Sequence, residues 1–136
     1  SRRGLTQVLG LTRRFIVLAT IFLAAQVAAA PQSFASAKAE AIRLERAMSK
    51  VQHTAFLDMQ GRALVSALDA CGPPGKDLSP FTVVLQVEAS GTVSASWREG
   101  ETALAQCVER KLSATTFTGK WSAPRYMLVG AILREP

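Results

Sequence analysis

One stretch of the chain changes its hydrophobic period and restricts the fold. Residues 81 to 98, FTVVLQVEASGTVSASWR, alternate apolar and polar side chains on both sides of Ser90-Gly91, a tight-turn signal. The alternating apolar residues are Phe81, Val83, Leu85 and Val87, then Val93, Ala95 and Trp97. A period of two is typical of strands with one buried face. We therefore predict a β-hairpin here.

Helical patterns surround this hairpin. Residues 38–71 are rich in Ala, Leu, Glu, Arg, Met and Lys, which favour helix, with a possible break at 52–54. Gly72 at a C-cap position and the two prolines after it end the helix. Its expected buried stripe comprises Leu57, Leu64, Ala67, Leu68 and Cys71.

A second helix is predicted from about 102 to 113, and a last strand over 126–133, YMLVGAIL. The helix has an apolar stripe of Leu104, Cys107, Val108 and Leu112, while Gln106, Glu109 and Arg110 should face water. The continuous apolar run fits a strand that is buried on both faces or paired near the sheet centre. The expected fold class is α+β, a small antiparallel three-stranded sheet with helices packed on one face (αββαβ), preceded by a helical N-terminal segment.

The first 37 residues have the pattern of an export signal. Four arginines precede sixteen mostly apolar residues, 15–30, and then the small-residue site Ala35-Ser36-Ala37. We expect cleavage after Ala37, because Pro31 disfavours a cut after Ala30. The alternative is an uncleaved membrane anchor, although sixteen residues are few against the roughly 20 that span a bilayer. Arg13-Arg14 also leaves twin-arginine export open as a minor alternative to the Sec route.

This pattern divides the chain into three parts: a signal peptide or anchor over 1–37, a helical lead-in over 38–54 and a domain over 55–136. The net charge of +6 comes mostly from the N-terminal arginines. From Lys38 onward, 12 basic residues face 10 acidic ones, a surplus of two. The domain has no basic stripe, so no nucleic-acid partner is expected.

The chain has two cysteines, Cys71 and Cys107. An even number of cysteines in an exported chain favours a disulfide, and both sit on apolar helix stripes that could meet over the sheet. A redox pair is the less favoured alternative, because there is no C-x-x-C motif. A metal site is weaker still, because the chain has one histidine and no pair with ligand spacing.

No catalytic or cofactor motif is present. His53 is the only histidine, and no serine lies in a nucleophile elbow that it could serve. Glu99 and Glu101 flank Gly100 and are interpreted as a polar turn with acids favoured by the helix dipole. No phosphate-binding or dinucleotide glycine motif occurs, so no cofactor is predicted.

Aromatic residues supply the candidate binding anchors. Trp97 shares the alternation of the second strand and is expected in the core or at the sheet edge. Trp121 in a loop and Tyr126 soon after it could be exposed anchors for a partner. The alternative for Trp121, weighed equally, is that it covers the core.

From about Ala55 to Glu135 the chain resembles the C-terminal domain of TonB-like proteins, in the variant at the ends of myxobacterial gliding-motility proteins (AgmX/PglI type). The matching features are a cysteine that ends the first helix, Cys71, the strand and turn FTVVLQVEASGTV, the helix ALAQCVERKL, Phe117 after that helix and a final apolar strand.

The resemblance implies a periplasmic αββαβ domain that binds envelope proteins, often by strand addition, and implies no catalysis. Two features depart from the family. Phe117 is followed by Thr118 where Phe-Pro is usual, and no proline-rich linker lies between Pro31 and Pro73. The energy-transducing role of TonB is therefore not carried over.

The functional expectation is an exported, non-catalytic protein-binding module, periplasmic or secreted after signal cleavage. One alternative is a small secreted enzyme or inhibitor with an unrecognised site. Another is a membrane-anchored envelope protein with its C-terminal domain outside the cytoplasm, touching the membrane only through residues 1–37. Neither the partner nor the oligomeric state follows from the sequence.

Overall fold

The computed structural model of this chain describes residue 31 and residues 33–121 and 124–134. The predicted apolar segment 15–30 lies outside the described residues. The elements are α1 (Phe34–Arg46), α2 (Lys50–Cys71), β1 (Phe81–Val87), β2 (Val93–Glu99), α3 (Ala103–Ser113) and β3 (Arg125–Ala131). The fold is α+β with helices packed against an antiparallel sheet, which confirms the predicted class.

The sheet order is β2-β1-β3, with both neighbours antiparallel to β1. β1 is therefore the central strand. Of the two alternatives predicted for the last strand, burial on both faces is correct and a central position is not, because β3 pairs with β1 alone among the described strands. Its apolar run reflects cover on both faces instead. The strand also ends earlier than expected, at Ala131, and Ile132 is 81% exposed.

Helices α2 and α3 cover one face of the sheet, as predicted. The side chains of Val83, Leu85 and Val87 from β1 are fully buried beneath them. Val108 and Leu112 of α3 are also fully buried, which confirms the apolar stripe of that helix. This apolar layer is the larger of the two cores.

Helix α1 covers the opposite face of the sheet. Ala37 and Ala41 lose essentially all solvent contact against Val84 of β1 and Tyr126 of β3. A capping box begins the helix, in which Ser33 and Ser36 satisfy each other's backbone N–H groups. The boundary predicted at 37/38 therefore falls inside α1, and the boundary at 54/55 falls inside α2. Residues 38–54 do not form a separate unit.

The break between the first two helices lies earlier than the predicted 52–54. α1 ends at Arg46 and α2 begins after Ser49, whose side chain accepts the N–H of Gln52 in a second capping box. The S-x-x-Q spacing is the sequence signal that was overlooked.

One residue of the buried stripe predicted for α2 is exposed in the structure. Leu57 is 46% exposed, whereas Phe56 and Gln60 take the buried positions of that half of the helix. Ala67 is buried as expected, and Cys71 is partly buried against the core. Gly72 caps the helix at the predicted residue.

A bulge in β2 changes the faces that its side chains occupy. Val87 pairs with Val93 and Gln86 with Ala95, so Ser94 is an extra residue. Val93 packs against the α2/α3 core, whereas Trp97, opposite Val84, packs with the residues beneath α1. The simple alternation Val93, Ala95, Trp97 therefore does not mark one buried face.

The hairpin turn depends on Gly91. Its φ is +88°, and its N–H donates to Glu88 O. Its carbonyl oxygen accepts the N–H of Phe117 at 2.8 Å, which ties the segment after α3 to the turn. A Cβ on Gly91 would overlap the Phe117 carbonyl oxygen. The Ser-Gly turn signal is confirmed, and the glycine is needed for space as well as for φ.

We expect Gly91→Ala to lower the free energy of unfolding by at least about 2 kcal/mol, because it adds left-handed strain and a backbone clash. Gly61→Ala in α2 is the matched control, since a Cβ there meets no atom within 4 Å. Removing a helix-interior glycine should raise stability by about 0.5–1 kcal/mol. Urea unfolding followed by circular dichroism measures the free energy of unfolding of both variants. Equal stability of the two variants would contradict this account.

Candidate functional site

The two cysteines form a disulfide between the last residue of α2 and the middle of α3. The Cα atoms of Cys71 and Cys107 are 5.9 Å apart, and the bond closes a loop with a sequence separation of 36. The pairing predicted from the sequence is confirmed, and neither cysteine remains as a free thiol. A disulfide of this kind is typical of chains that fold outside the reducing cytoplasm.

Removal of this bond should lower the free energy of unfolding by about 4 kcal/mol, the chain-entropy value for a loop of this length. The test is the double variant Cys71→Ala/Cys107→Ala, compared with the native chain in urea with and without reductant. Reductant should destabilise only the native chain. A stability difference within error between the oxidised chain and the double variant would refute a structural role for the bond.

Glu109 of α3 does not simply face water as expected. Its Oε2 accepts a hydrogen bond from Arg98 Nε at 2.8 Å, and its Oε1 accepts one from Ser96 Oγ at 2.9 Å. Arg98 also donates to Gly100 O and lies 3.2 Å from the exposed Glu101 carboxylate. The hydrogen bond with Glu109 raises the pKa of Arg98 above its ordinary value. This network fastens α3 to β2 and leaves no free carboxylate pair.

The three residues that an enzyme would have needed are not joined. His53 Nε2 lies 2.6 Å from Glu45 Oε1 at the α1–α2 junction. Glu101 pairs with Arg98, and no hydrogen bond or ion pair between described residues connects His53 with Glu99 or Glu101. Within the described part of the chain, no group of three or more His, Cys, Asp or Glu is arranged to hold a metal ion. The alternative of an enzyme built on His53, Glu99 and Glu101 gains no support.

Tyr126 is not the exposed anchor that the sequence suggested. It is 6% exposed, because its side chain lies between the sheet and α1. The ring centroids of Tyr126 and Trp97 are 6.2 Å apart. Burial raises the pKa of the Tyr126 phenol above its ordinary value of 10.0, and the nearby charge of Glu40 raises it further. A partner can reach Tyr126 only if α1 leaves this face.

Tyr126 is the only tyrosine of the chain, so its ionisation reports whether α1 covers the sheet. The phenolate absorbance should appear at higher pH in the folded chain than in urea. Because the folded-state pKa is raised, the stabilisation is complete below the unfolded pKa of about 10 and is lost as pH rises through the folded value.

Ala41→Gln should return the Tyr126 pKa toward its ordinary value, because a longer side chain at this buried position lifts α1 from the sheet. Ala39→Gln, on the exposed side of the same helix, is the control and should leave the titration unchanged. Identical phenol titrations in the two variants would show that α1 does not cover Tyr126.

Trp121 forms one wall of a groove beside α2, with a volume of about 350 Å³. Its indole Nε1–H donates to Glu88 O at 3.2 Å, which fixes the ring. The ring lies against Gly119, where a Cβ would overlap it. The ring also contacts the α2/α3 core. The two alternatives for Trp121 were an exposed anchor and a cover over the core, and each is partly correct. The ring covers the core and still borders an open surface. We call this surface the Trp121 groove; the side chains that line it include Met48, Phe56, Met59, Lys120, Trp121 and Arg125.

The two outer strands of the sheet differ in how they are protected. β2 carries the Ser94 bulge and the charged residues Arg98 and Glu99, which are devices that discourage edge pairing. β3 pairs with β1 in an unbroken register of seven residues and has no charged residue from Tyr126 to Ala131. Of the two edges, β3 is the regular one, and its single charged residue, Arg125, is the first residue of the strand.

The direction of the β3 backbone groups follows from the hairpin. Glu88 N–H donates to Thr92 O, and Gln86 O accepts a hydrogen bond from Ser94 Oγ. The backbone groups of Gln86 and Glu88 therefore point toward β2. Because backbone groups alternate between the two edges of a strand, the intervening β1 residues point toward β3. In the register between β1 and β3, the β3 residues whose N–H and C=O groups point away from β1 are therefore Tyr126, Leu128 and Gly130.

Comparisons with protein-family models, curated proteins and solved structures find no match to this chain. The resemblance to TonB-like C-terminal domains thus stays a prediction. Across the described residues, no helix combines the length and apolar character needed to cross a membrane.

Proposed function

We propose that this chain is an exported, non-catalytic protein-binding module of the cell envelope, which recruits a partner polypeptide by strand addition to β3. The observation that carries the proposal is the contrast between the protected β2 edge and the regular β3 edge. An uncovered edge presents a row of unpaired backbone donors and acceptors, and an added strand satisfies them. The TonB-like resemblance favours the same mode of binding.

Export is supported by the disulfide and by the arginine-rich, apolar N-terminal sequence. Disulfides persist in oxidising compartments and are rare in the cytosol. Cleavage after Ala37 would release the domain into the periplasm or beyond the cell, and retention of residues 1–37 would leave it anchored to the membrane. No nucleic-acid partner is proposed, because the domain carries only a small surplus of basic residues.

The anchored alternative is favoured by one specific observation. Cleavage after Ala37 would remove Phe34, Ala37 and the Ser33–Ser36 capping box from α1. An uncleaved chain keeps this helix whole and holds the sheet close to the membrane. The intact mass of the protein from the envelope fraction distinguishes the two forms.

Strand addition should be blocked by Gly130→Pro, because proline removes an outward-facing backbone N–H. The β1–β3 ladder does not use that N–H, so the fold should survive. Linear peptides selected by display against the oxidised native chain serve as probes. We expect at least tenfold weaker peptide binding to this variant, measured by fluorescence anisotropy, and slower amide exchange at Leu128 and Gly130 in the native complex.

Gly130→Ala is the matched control, since it keeps the N–H and its Cβ makes only ordinary contacts near Thr82 and Phe81. It should bind the peptides as the native chain does. Unchanged affinity of the Gly130→Pro variant, with a native circular dichroism spectrum, would exclude β3 as the binding edge.

A further inference from the structure

The strongest unassigned feature is the Trp121 groove, which adjoins the first residue of β3. One wall comes from Phe56 and Met59 of α2 and from Met48 between α1 and α2, and the other comes from residues 118–121. Arg125 lies at the junction of this groove with the β3 edge. A polypeptide paired with β3 would pass the mouth of the groove as it reaches Arg125.

Arg125 is an unusual groove residue because one nitrogen of its guanidinium has no hydrogen-bond partner within the described part of the chain. Its Nη1 is buried and donates no hydrogen bond to any described residue. The guanidinium carbon lies 5.7 Å from the centre of the Phe56 ring, a cation–π arrangement that fixes the charge in place. Burial lowers the pKa of Arg125 below its ordinary value. No ion pair between described residues involves Arg125, and a carboxylate bound in the groove would supply a charge partner for its guanidinium.

The remaining charges leave the groove positive. Asp58 is the only acidic residue among those that line the groove, and the Asp58 Oδ2 atom lies 2.9 Å from Arg62 Nη2. Lys120 stands on the opposite wall and, like Arg125, has no acidic partner among the ion pairs of the described residues. The groove is therefore complementary to a negative group. Asp58 and Arg62 are exposed and contribute little to this balance.

The apolar walls argue for a peptide over a bare anion. Phe56 and Trp121 are aromatic, and Met48 and Met59 are flexible side chains that adapt to irregular ligands. A volume of about 350 Å³ is at the small end of ligand pockets and suits one or two side chains. A bare phosphate would leave these apolar side chains without a contact, whereas apolar residues beside a carboxylate would cover them.

We propose that the Trp121 groove binds an acidic residue flanked by apolar residues from a partner polypeptide, with the carboxylate pairing with the guanidinium of Arg125. This inference rests on the proposed protein-binding function and adds the chemical class of the segment that is bound. It identifies Arg125 and Trp121 as the specificity residues, beside the sequence-tolerant backbone pairing of β3.

The test uses two capped tripeptides, acetyl-Phe-Glu-Leu-amide and acetyl-Phe-Gln-Leu-amide, which differ only in charge at the central residue. Each is titrated into the isotope-labelled, oxidised native chain and followed by nuclear magnetic resonance. The glutamate peptide should shift the Trp121 indole and Arg125 guanidinium signals and bind about tenfold more tightly, the factor expected for a charged hydrogen bond. Sodium phosphate, titrated alone, should leave both signals in place.

Two arginine variants complete the test. Arg125→Met should abolish the preference for glutamate over glutamine, while thermal unfolding shows the same or a higher midpoint, because a buried charge without a partner is lost. Arg134→Met removes an exposed arginine outside the groove and should preserve the preference. Equal binding of both peptides to the native chain, no binding of either, or a response to phosphate alone would each overturn the inference.

The result of the groove test can be distinguished from the result of the strand-addition test. Display-selected peptides that lose affinity with Gly130→Pro but not with Arg125→Met would leave the β3 proposal standing and exclude the groove. The reverse pattern would retain an acidic-peptide groove and exclude pairing at β3.

Discussion

The central strand β1 has fully buried side chains on both faces, and the rest of the structure follows from covering them. Val83 and Leu85 point to one side and Val84 to the other, and all three are fully buried. One face is closed by α2 and α3, which the disulfide joins. The other face needs a further helix, and α1 provides it with two alanines that let the helix approach closely. Removal of α1 would expose Val84 and Tyr126 together, so the lead-in helix belongs to the fold.

Much of this fold could be predicted from local patterns. The α3 stripe, the Gly91 turn and the Gly72 cap are each indicated by a few neighbouring residues, and the structure confirms them. The disulfide was predicted from compartment and cysteine number, which do not depend on detailed geometry. The first three features are set by neighbouring residues and the disulfide is indicated by cysteine number, so the sequence indicates all four without knowledge of the tertiary packing.

The features that were missed depend on contacts between distant residues. An apolar run such as YMLVGAIL indicates burial on two faces but does not distinguish a central strand from an edge strand beneath two helix layers. The Ser94 bulge moves Trp97 to the α1 face without any glycine or proline to announce it. Tyr126 was expected to be exposed because the position of α1 was unknown. The groove at Trp121 joins residues more than 60 positions apart in sequence, from Phe56 to Trp121, and no local pattern predicts it.

The two proposed recognition features divide affinity and selectivity in a way that suits a binding module. Backbone pairing at β3 accepts many sequences, because every added strand offers the same N–H and C=O groups. Arg125, placed where β3 begins, adds a requirement for one negative charge, and the fixed Trp121 ring adds a requirement for apolar neighbours. Neither feature lies on the face that α1 covers. Whether the chain keeps or loses its first 37 residues, the edge and the groove remain joined through Arg125, and recognition can be separated from anchoring.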